Sequence, residues 1–336
     1  MADNKLYKIG ITHGDLNSIS YEVIIKALSD YKIMELCTPI VYGLVKAASY
    51  HRKYMDLPDF SFQFIKNTEQ FSTKRPNLIN LFDEEVKIEL GASTKVAGQM
   101  AERALYAAGR DLKNKNIDAI VTGPINKHNI QSEKFKFPGH TEFFEHYFGG
   151  AENKAMMMMV AEGLRMGFVT NHVAMKDIAS ILNKDLIYKK IEILNNSLKQ
   201  DFAIDNPTIA VLALNPHAGD EGLIGDEEAN HIRPAIELAF HNHINAFGPF
   251  PADGFFASGG YRKFDAVLAM YHDQGMIPFK LLGKDGVNFT AGLPIVRTSP
   301  AHGTAYDIAG KNQANGQSMR NAIYLAIDIL RNRDRH

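Results

Sequence analysis

The 336-residue chain predicts an α/β protein with a largely parallel sheet. Two observations carry that prediction. Short β-rich apolar runs alternate along the chain with longer stretches of helical periodicity, the pattern of strand–helix–strand units. Three of the apolar runs also lead directly to a histidine, and ligands in open parallel sheets gather just beyond the carboxyl ends of strands.

Strands are expected at Leu6–Thr12, Pro39–Leu44, Asp118–Thr122, Met156–Val160, Met166–Thr170, Thr208–Leu214 and Asp265–Met270. A helix over Thr94–Leu112 follows Ser93 as N-cap. Asp185–Gln200 places Ile187, Ile191, Leu194 and Leu198 on one helical face. A last helix from near Ser318 aligns Ile323, Ile327 and Leu330. The methionine run Met156–Met159 reads as a buried strand of a hairpin turning at Glu162-Gly163, in preference to a soft ligand cluster. No repeat, low-complexity tract or Pro/Gly/Ser-rich linker interrupts the chain, and "NKNID" and "RNRDRH" read as solvated ends.

Composition narrows the function classes. Apolar residues make up 45% and charged residues 22%, as in ordinary globular proteins. The net charge of −1 supplies no field toward nucleic acid or membrane surfaces. No stretch approaches the roughly 20 apolar residues that span a bilayer, and "MADNKLYKIGITHGD" lacks an apolar signal-peptide core. Cys37 is the single cysteine, which excludes intramolecular disulfides and cysteine-based zinc sites and suits a reducing cytoplasm. A bound metal would have to be held by His, Asp or Glu.

The three strand-end histidines are His172 in "MGFVTNHVAM", His217 in "TIAVLALNPHAGD" and His272 in "DAVLAMYHDQG". Each alone is an unremarkable loop residue. Three at equivalent positions can converge on one divalent metal and leave a coordination position open for substrate. Asn215, Asp220 and Asp273 are the neighbours that could orient them. All-histidine ligation suits zinc, cobalt, nickel or iron better than magnesium.

"FPGHTEFFEHYF" places His140 and Thr141 at a helix start, where backbone N–H groups favour an anion, although Thr141 could equally be a simple cap. Lys280, Asn288 and Arg297 punctuate what reads as a Gly-rich loop region, "KLLGKDGVNFTAGLPIVRTS". Lysine and arginine there suit a phosphate or carboxylate. No G-x-G-x-x-G follows a strand; instead "SPAHGTAYDIAGKNQANG" forms a dense polar loop.

That loop resembles the adenosine-binding loop of the isocitrate and isopropylmalate dehydrogenase superfamily. "VTGPINK", "PGHTEF", "VTNHVAM", "NPHAGD", "YHDQG", "GVNFTAGLPIVRTS" and "HGTAYDIAG" occur in the order found in the 4-hydroxythreonine-4-phosphate dehydrogenase family, over nearly the whole chain. The resemblance implies a two-domain isocitrate/isopropylmalate dehydrogenase-like fold with the active site in the interdomain cleft. It implies one cofactor-side domain, 1–126 plus 290–336, containing both termini, and a central domain, 127–289, carrying the metal ligands and the dimer interface. It implies that His172, His217 and His272 bind the metal, zinc first and cobalt or magnesium as alternatives. His140, Thr141, Lys280, Asn288 and Arg297 would bind substrate. His302, Gly303, Thr304 and Asp307 would bind NAD, with NADP as the alternative. The implied enzyme is a homodimer whose metal site takes His172 and His217 from one subunit and His272 from the other.

The implied reaction is oxidation of the secondary alcohol of 4-phosphooxy-L-threonine to a β-keto acid, which loses carbon dioxide to give 3-amino-2-oxopropyl phosphate, on the route to pyridoxal phosphate. Asp253, Lys127 and Asp273 are the candidate bases, Asp253 first. The rivals are a sister dehydrogenase acting on 4-phosphoerythronate or phosphothreonate, a three-histidine metal lyase without nicotinamide, and an acyl-phosphate transferase. One departure stands out. The family's first strand runs into a loop of the type G-D-P-A-G-I-G-P-E, whereas this chain has "GDLNSISYE". Serine does not adopt positive φ as freely as glycine, so this loop either follows a different path or never needed those angles.

Overall fold

The computed structural model describes residues 5–82, 85–150 and 154–335. Along the chain, β1 (Tyr7–Thr12), α1 (Ser20–Leu28), β2 (Cys37–Gly43), α2 (Val45–Arg52), β3 (Gln63–Ile65), β4 (Asn77–Asn80), α3 (Lys95–Lys113), β5 (Ala119–Thr122) and the short α4 (His140–Phe144) come first. β6 (Met156–Ala161), β7 (Leu164–Phe168), α5 (Met175–Ile181), α6 (Lys184–Gln200), β8 (Thr208–Leu212), α7 (Arg233–His241), β9 (Asn245–Phe250), α8 (Ala252–Ala257), β10 (Ala266–Ala269), α9 (His272–Leu282) and β11 (Val287–Ala291) follow. β12 (Val296–Pro300) and α10 (Gln317–Arg333) close the chain. The chain divides into two units: Met1–Gly150 with Pro294–Arg331, and Ala151–Leu293 with Asn332–His336.

In the first unit the strands lie in the order β3-β4-β2-β1-β5-β12, every pair parallel. Helices cover both faces of such a sheet, so its central strands are apolar without alternation: β2 and β5 are buried at every position. α3 buries Ala97, Met100, Ala101, Ala104, Leu105, Ala108 and Leu112 at three- and four-residue spacing. A Cβ on Gly98 would overlap the carbonyl of Asn129, so only glycine lets this helix approach the loop after β5. The N-cap of α3 is Thr94, not Ser93: its hydroxyl accepts the N–H of Ala97 at 3.2 Å.

In the second unit the order is β11-β6-β7-β10-β8-β9. β6 runs antiparallel to β7 and β11, and the remaining pairs are parallel. The methionine run is the buried β6, and its hairpin turns at Glu162-Gly163, with Gly163 at φ +71°. α6 buries Ile187, Ile191, Leu194 and Leu198 as its spacing requires, and its N-cap is Asn183.

Residues 280–299 are corrected. They are not a Gly-rich loop region but the end of α9 followed by β11 and β12, so Asn288 and Arg297 are strand residues. The strands were hidden because their buried positions include Thr290, Arg297, Thr298 and Ser299. His272 likewise starts a helix instead of a polar turn, and Lys280 lies two helical turns further on, in the last turn of α9.

The "GDLNSIS" loop never needed the glycine angles. Gly14 has φ +68°, while neither Ser18 nor Ser20 has positive φ. The Ser18 hydroxyl donates to the carbonyl of Asp15 at 2.6 Å and accepts the N–H of Ser20 at 3.0 Å, closing the turn into α1.

Candidate active site

At the carboxyl edge of β1, β5 and β12, in the first unit, buried polar atoms stand without hydrogen-bond partners. They are Oγ1 of Thr12, Nδ1 of His13, Oγ of Ser20, Oδ1 of Asn129, Nε2 of His140 and Nε2 of His302. Buried polar groups are normally paired, so a cluster of orphans at the edge where α/β sheets bind ligands marks a site built for something polar.

Arg297 is the buried cation of this site. It points inward from β12 and is 1% exposed. Its Nε and one terminal nitrogen donate to the Thr122 hydroxyl at 3.2 and 2.7 Å, and the guanidinium stands 5.9 Å from the centroid of Phe144. Burial pulls it down to about 9, with the Glu142 carboxylate opposing, so it remains a cation at neutral pH.

His140 opens α4 after Gly139, whose extended backbone is the N-cap; Thr141 is partly buried beside it and is not the cap. Burial, then the positive charges of Arg297 and Lys127, holds the imidazole well below its ordinary range. It is therefore neutral at pH 7 and offers a ring nitrogen to a ligand. The structure thus brings together His140, Arg297, Lys127 and Glu142. Glu142 and Thr122 escaped the sequence reading, although they lie in "PGHTEF" and "VTGPINK" respectively.

The loop 302–307 is tied to the same unit. His302 Nδ1 lies 3.1 Å from the Gly303 carbonyl, and the Thr304 carbonyl accepts the N–H of Ile19 at 3.1 Å. Tyr306 bonds to the buried Asp15. Gly303 and Asp307 are exposed.

The second unit carries the three strand-end histidines. His172 and His272 follow the adjacent parallel strands β7 and β10, and their ring centroids are 6.1 Å apart. Nδ1 of His272 is 2.7 Å from Oδ1 of Asp273, which leaves Nε2 as the ring nitrogen available to a ligand. Phe168 stacks with His272 at 6.1 Å. Gln274 pins the β10–α9 junction by accepting the N–H of Met270 and donating to the Ala213 carbonyl. His217 is exposed on a left-handed turn after β8. Asn215 does not orient it: its side chain bonds to Glu227 and Glu228. Among the described residues, no group of three or more His, Cys, Asp or Glu side chains is placed to hold a metal ion within one chain. Two facing imidazoles, one already held by a carboxylate, fit a nitrogen-preferring divalent ion whose coordination another group completes.

Lys280 and Asn288 also belong to the second unit. Lys280 is exposed; Asn288 pairs with Met159 in the sheet, and its Oδ1 is buried without a partner. Asp253 is exposed in the first turn of α8. Among the described residues no helix is long and apolar enough to cross a membrane.

Comparison with known proteins supplies the family. The profile described as pyridoxal phosphate biosynthetic protein PdxA matches residues 35–326. The chain is 51% identical over 336 residues to 4-hydroxythreonine-4-phosphate dehydrogenase of Bacteroides thetaiotaomicron, covering 100% of this chain and 92% of the relative. It is 38% identical to D-threonate 4-phosphate dehydrogenase of Cupriavidus necator, covering 97% and 98%. The crystal structure of 4-hydroxythreonine-4-phosphate dehydrogenase from Klebsiella pneumoniae superposes with a TM-score of 0.83 at 33% identity, over 98% of this chain and 99% of that one. An isocitrate dehydrogenase from Methylococcus capsulatus, at 11% identity and TM-score 0.51, shares the fold alone. With the family profile spanning most of its length, this oxidoreductase belongs to the PdxA family of pyridoxal phosphate biosynthetic proteins.

Proposed function

We propose that this enzyme oxidises 4-phosphooxy-L-threonine with NAD, using a divalent metal, to 2-amino-3-oxo-4-phosphooxybutanoate, which decarboxylates to 3-amino-2-oxopropyl phosphate. The observation that carries the reading is the buried Arg297 beside a neutral His140 with an unused ring nitrogen. Such a pair receives an anionic, hydroxyl-bearing substrate: the guanidinium takes the anion, and the imidazole bonds to a polar substituent without adding charge.

His172, His217 and His272 would hold the metal, zinc first and cobalt next. When bound, the ion supplies Lewis acidity at the substrate oxygen and the nicotinamide supplies a hydride acceptor. The chain's own groups do the rest. Arg297, His140, Thr141, Lys280 and Asn288 bind and orient. His302, Gly303, Thr304 and Asp307 seat the nucleotide. Asp253 takes the hydroxyl proton, with Lys127 as the alternative base, and Asp273 is engaged with His272.

The working enzyme is a homodimer with a shared site. Support comes from α9, which begins at His272 and leaves Ile277, Leu281 and Leu282 at 61, 80 and 45% exposure. Leu223, just past the His217 turn, is 84% exposed. Apolar side chains this exposed beside two proposed ligands suit burial by a second copy. We place the enzyme in the cytoplasm, where its one cysteine, the buried Cys37, stays reduced.

The relatives named for D-threonate 4-phosphate favour a second reading, in which a hydroxyl replaces the substrate amine. Reduced-nicotinamide absorbance is followed with each acid, with and without a chelator. Turnover of 4-phosphooxy-L-threonine at the higher kcat/KM, abolished by chelation and restored by zinc or cobalt, is expected. Preference for D-threonate 4-phosphate would move the assignment to the second reading, and turnover indifferent to chelation would remove the metal.

A further inference from the structure

The turn that carries His217 is not locally favourable. His217, Ala218, Gly219, Asp220 and Glu221 all have positive φ, at 53°, 53°, 81°, 43° and 54°. Four of the five are not glycine, and side chains with a Cβ are disfavoured in this region. A run of this kind persists only where its surroundings determine it.

Glu228 is what surrounds it. Sheet pairing ends when the N–H of Ala213 bonds to the carbonyl of Phe250. The next two N–H groups, of Leu214 and Asn215, both go to Oε1 of Glu228, at 2.8 and 2.7 Å. Oε2 of Glu228 accepts the Asn215 side-chain amide at 2.9 Å, and the same amide donates to Glu227 at 2.7 Å. A Cβ on Gly219 would come within 2.8 Å of Oε2 of Glu228, so the turn closes tightly over this carboxylate. Glu228 is 3% exposed. A carboxylate buried this deeply is satisfied here by backbone N–H groups and an amide that leave the strand immediately before His217.

We propose that Glu228 is the positioning residue for His217: its carboxylate fixes the exit of β8 and thereby aims the imidazole. Glu228 touches neither substrate nor metal and acts through the turn. The inference rests on the reading of His217 as a metal ligand.

The test uses the full-length enzyme and zinc ion alone. Zinc affinity is measured by competition with a chelator for the wild type and for Glu228→Gln, Glu228→Ala and His217→Ala, with urea unfolding alongside. Glutamine keeps one acceptor oxygen for the two backbone N–H groups and loses only the acceptor for the Asn215 amide, so Glu228→Gln is the milder variant. We expect zinc to bind about 10-fold more weakly to Glu228→Gln and up to about 100-fold more weakly to Glu228→Ala, the usual range for a residue that orients a metal ligand. At saturating zinc, kcat of Glu228→Gln recovers toward the wild-type value. If His217→Ala loses zinc while Glu228→Gln binds it with wild-type affinity, the positioning role falls and the metal reading stands, even where the unfolding midpoint drops. If His217→Ala also keeps wild-type affinity, both fall.

Discussion

The phenolic hydroxyl of Tyr306 donates a 2.7 Å hydrogen bond to Oδ2 of Asp15, and the same oxygen accepts the side-chain amide of Asn129 at 2.7 Å. Oδ1 of Asp15 accepts the N–H of Asn17 at 2.9 Å. The carboxylate, wholly buried, ties three segments together: the turn into α1, the loop after β5 and the loop 302–307. Burial, then the bond to Asp15, pushes the Tyr306 phenol up to about 12, so it stays a donor throughout the neutral range. Tyr306→Phe removes the donor and leaves a buried carboxylate oxygen short of one partner. It should lower unfolding free energy by about 1–3 kcal/mol and weaken NAD binding with little effect on substrate affinity. Urea unfolding and separate ligand titrations check this; an unchanged midpoint contradicts the role given to the bond.

Arg297→Lys should weaken substrate binding by a factor on the order of 10–100 and NAD binding much less. Lysine keeps a charge but cannot hold Thr122 through two nitrogens and still present a fork to an anion. It would also bury a more strongly hydrated ammonium against Phe144. Calorimetric titration of each ligand separately distinguishes the two effects, and equal losses for both would remove Arg297 from the substrate side.

Stability should fall as pH drops below the ordinary histidine range. His13 is wholly buried, and burial lowers it from 6.5 to about 4, opposed by its bond to the Met100 carbonyl. Its folded-state value is below the unfolded one, so its contribution is complete above about pH 6.5 and disappears progressively as pH falls to about 4. The gap between the two values corresponds to about 3 kcal/mol. His51, buried between Tyr21 and the Leu16 carbonyl, shifts in the same direction by burial. Urea midpoints taken between pH 7 and 4 should fall steeply, and His13→Gln should flatten the slope. A His13→Gln slope equal to that of the wild type would show that the acid sensitivity lies elsewhere.

Much of this molecule was legible as sequence because its central strands are apolar runs and its long helices keep strict spacing. β2, β5, α3 and α6 needed nothing else. β11 and β12 were missed where function intrudes on the pattern, since a strand that buries Arg297 and Thr298 does not read as a strand. Strands ending alike suggested three converging histidines; within the chain His172 and His272 are neighbours, while His217 lies on its own exposed turn. The support beneath the site was not. Asp15, Asn129 and Tyr306 meet across separations of 114 and 291 positions, and Glu228 reaches back 13 and 14 positions to the exit of β8. No local period records such contacts.

The last prediction concerns the shared site. Within one chain the neighbouring imidazoles are His172 and His272, whereas the proposed shared site takes His172 and His217 from one subunit and His272 from the other. Subunit mixing decides between a shared and a single-chain site. His217→Ala and His272→Ala homodimers should each be inactive, because each site lacks one ligand. When the two are unfolded together and refolded, random pairing gives roughly half heterodimers. In a shared site, one active centre of each heterodimer then carries both lesions and the other carries neither. About a quarter of wild-type activity should return, together with zinc binding at about a quarter of the sites. A site closed within one chain keeps one lesion in every centre, so the mixture stays inactive. Native mass spectrometry confirms that heterodimers have formed, and an inactive mixture that contains them would refute the shared site.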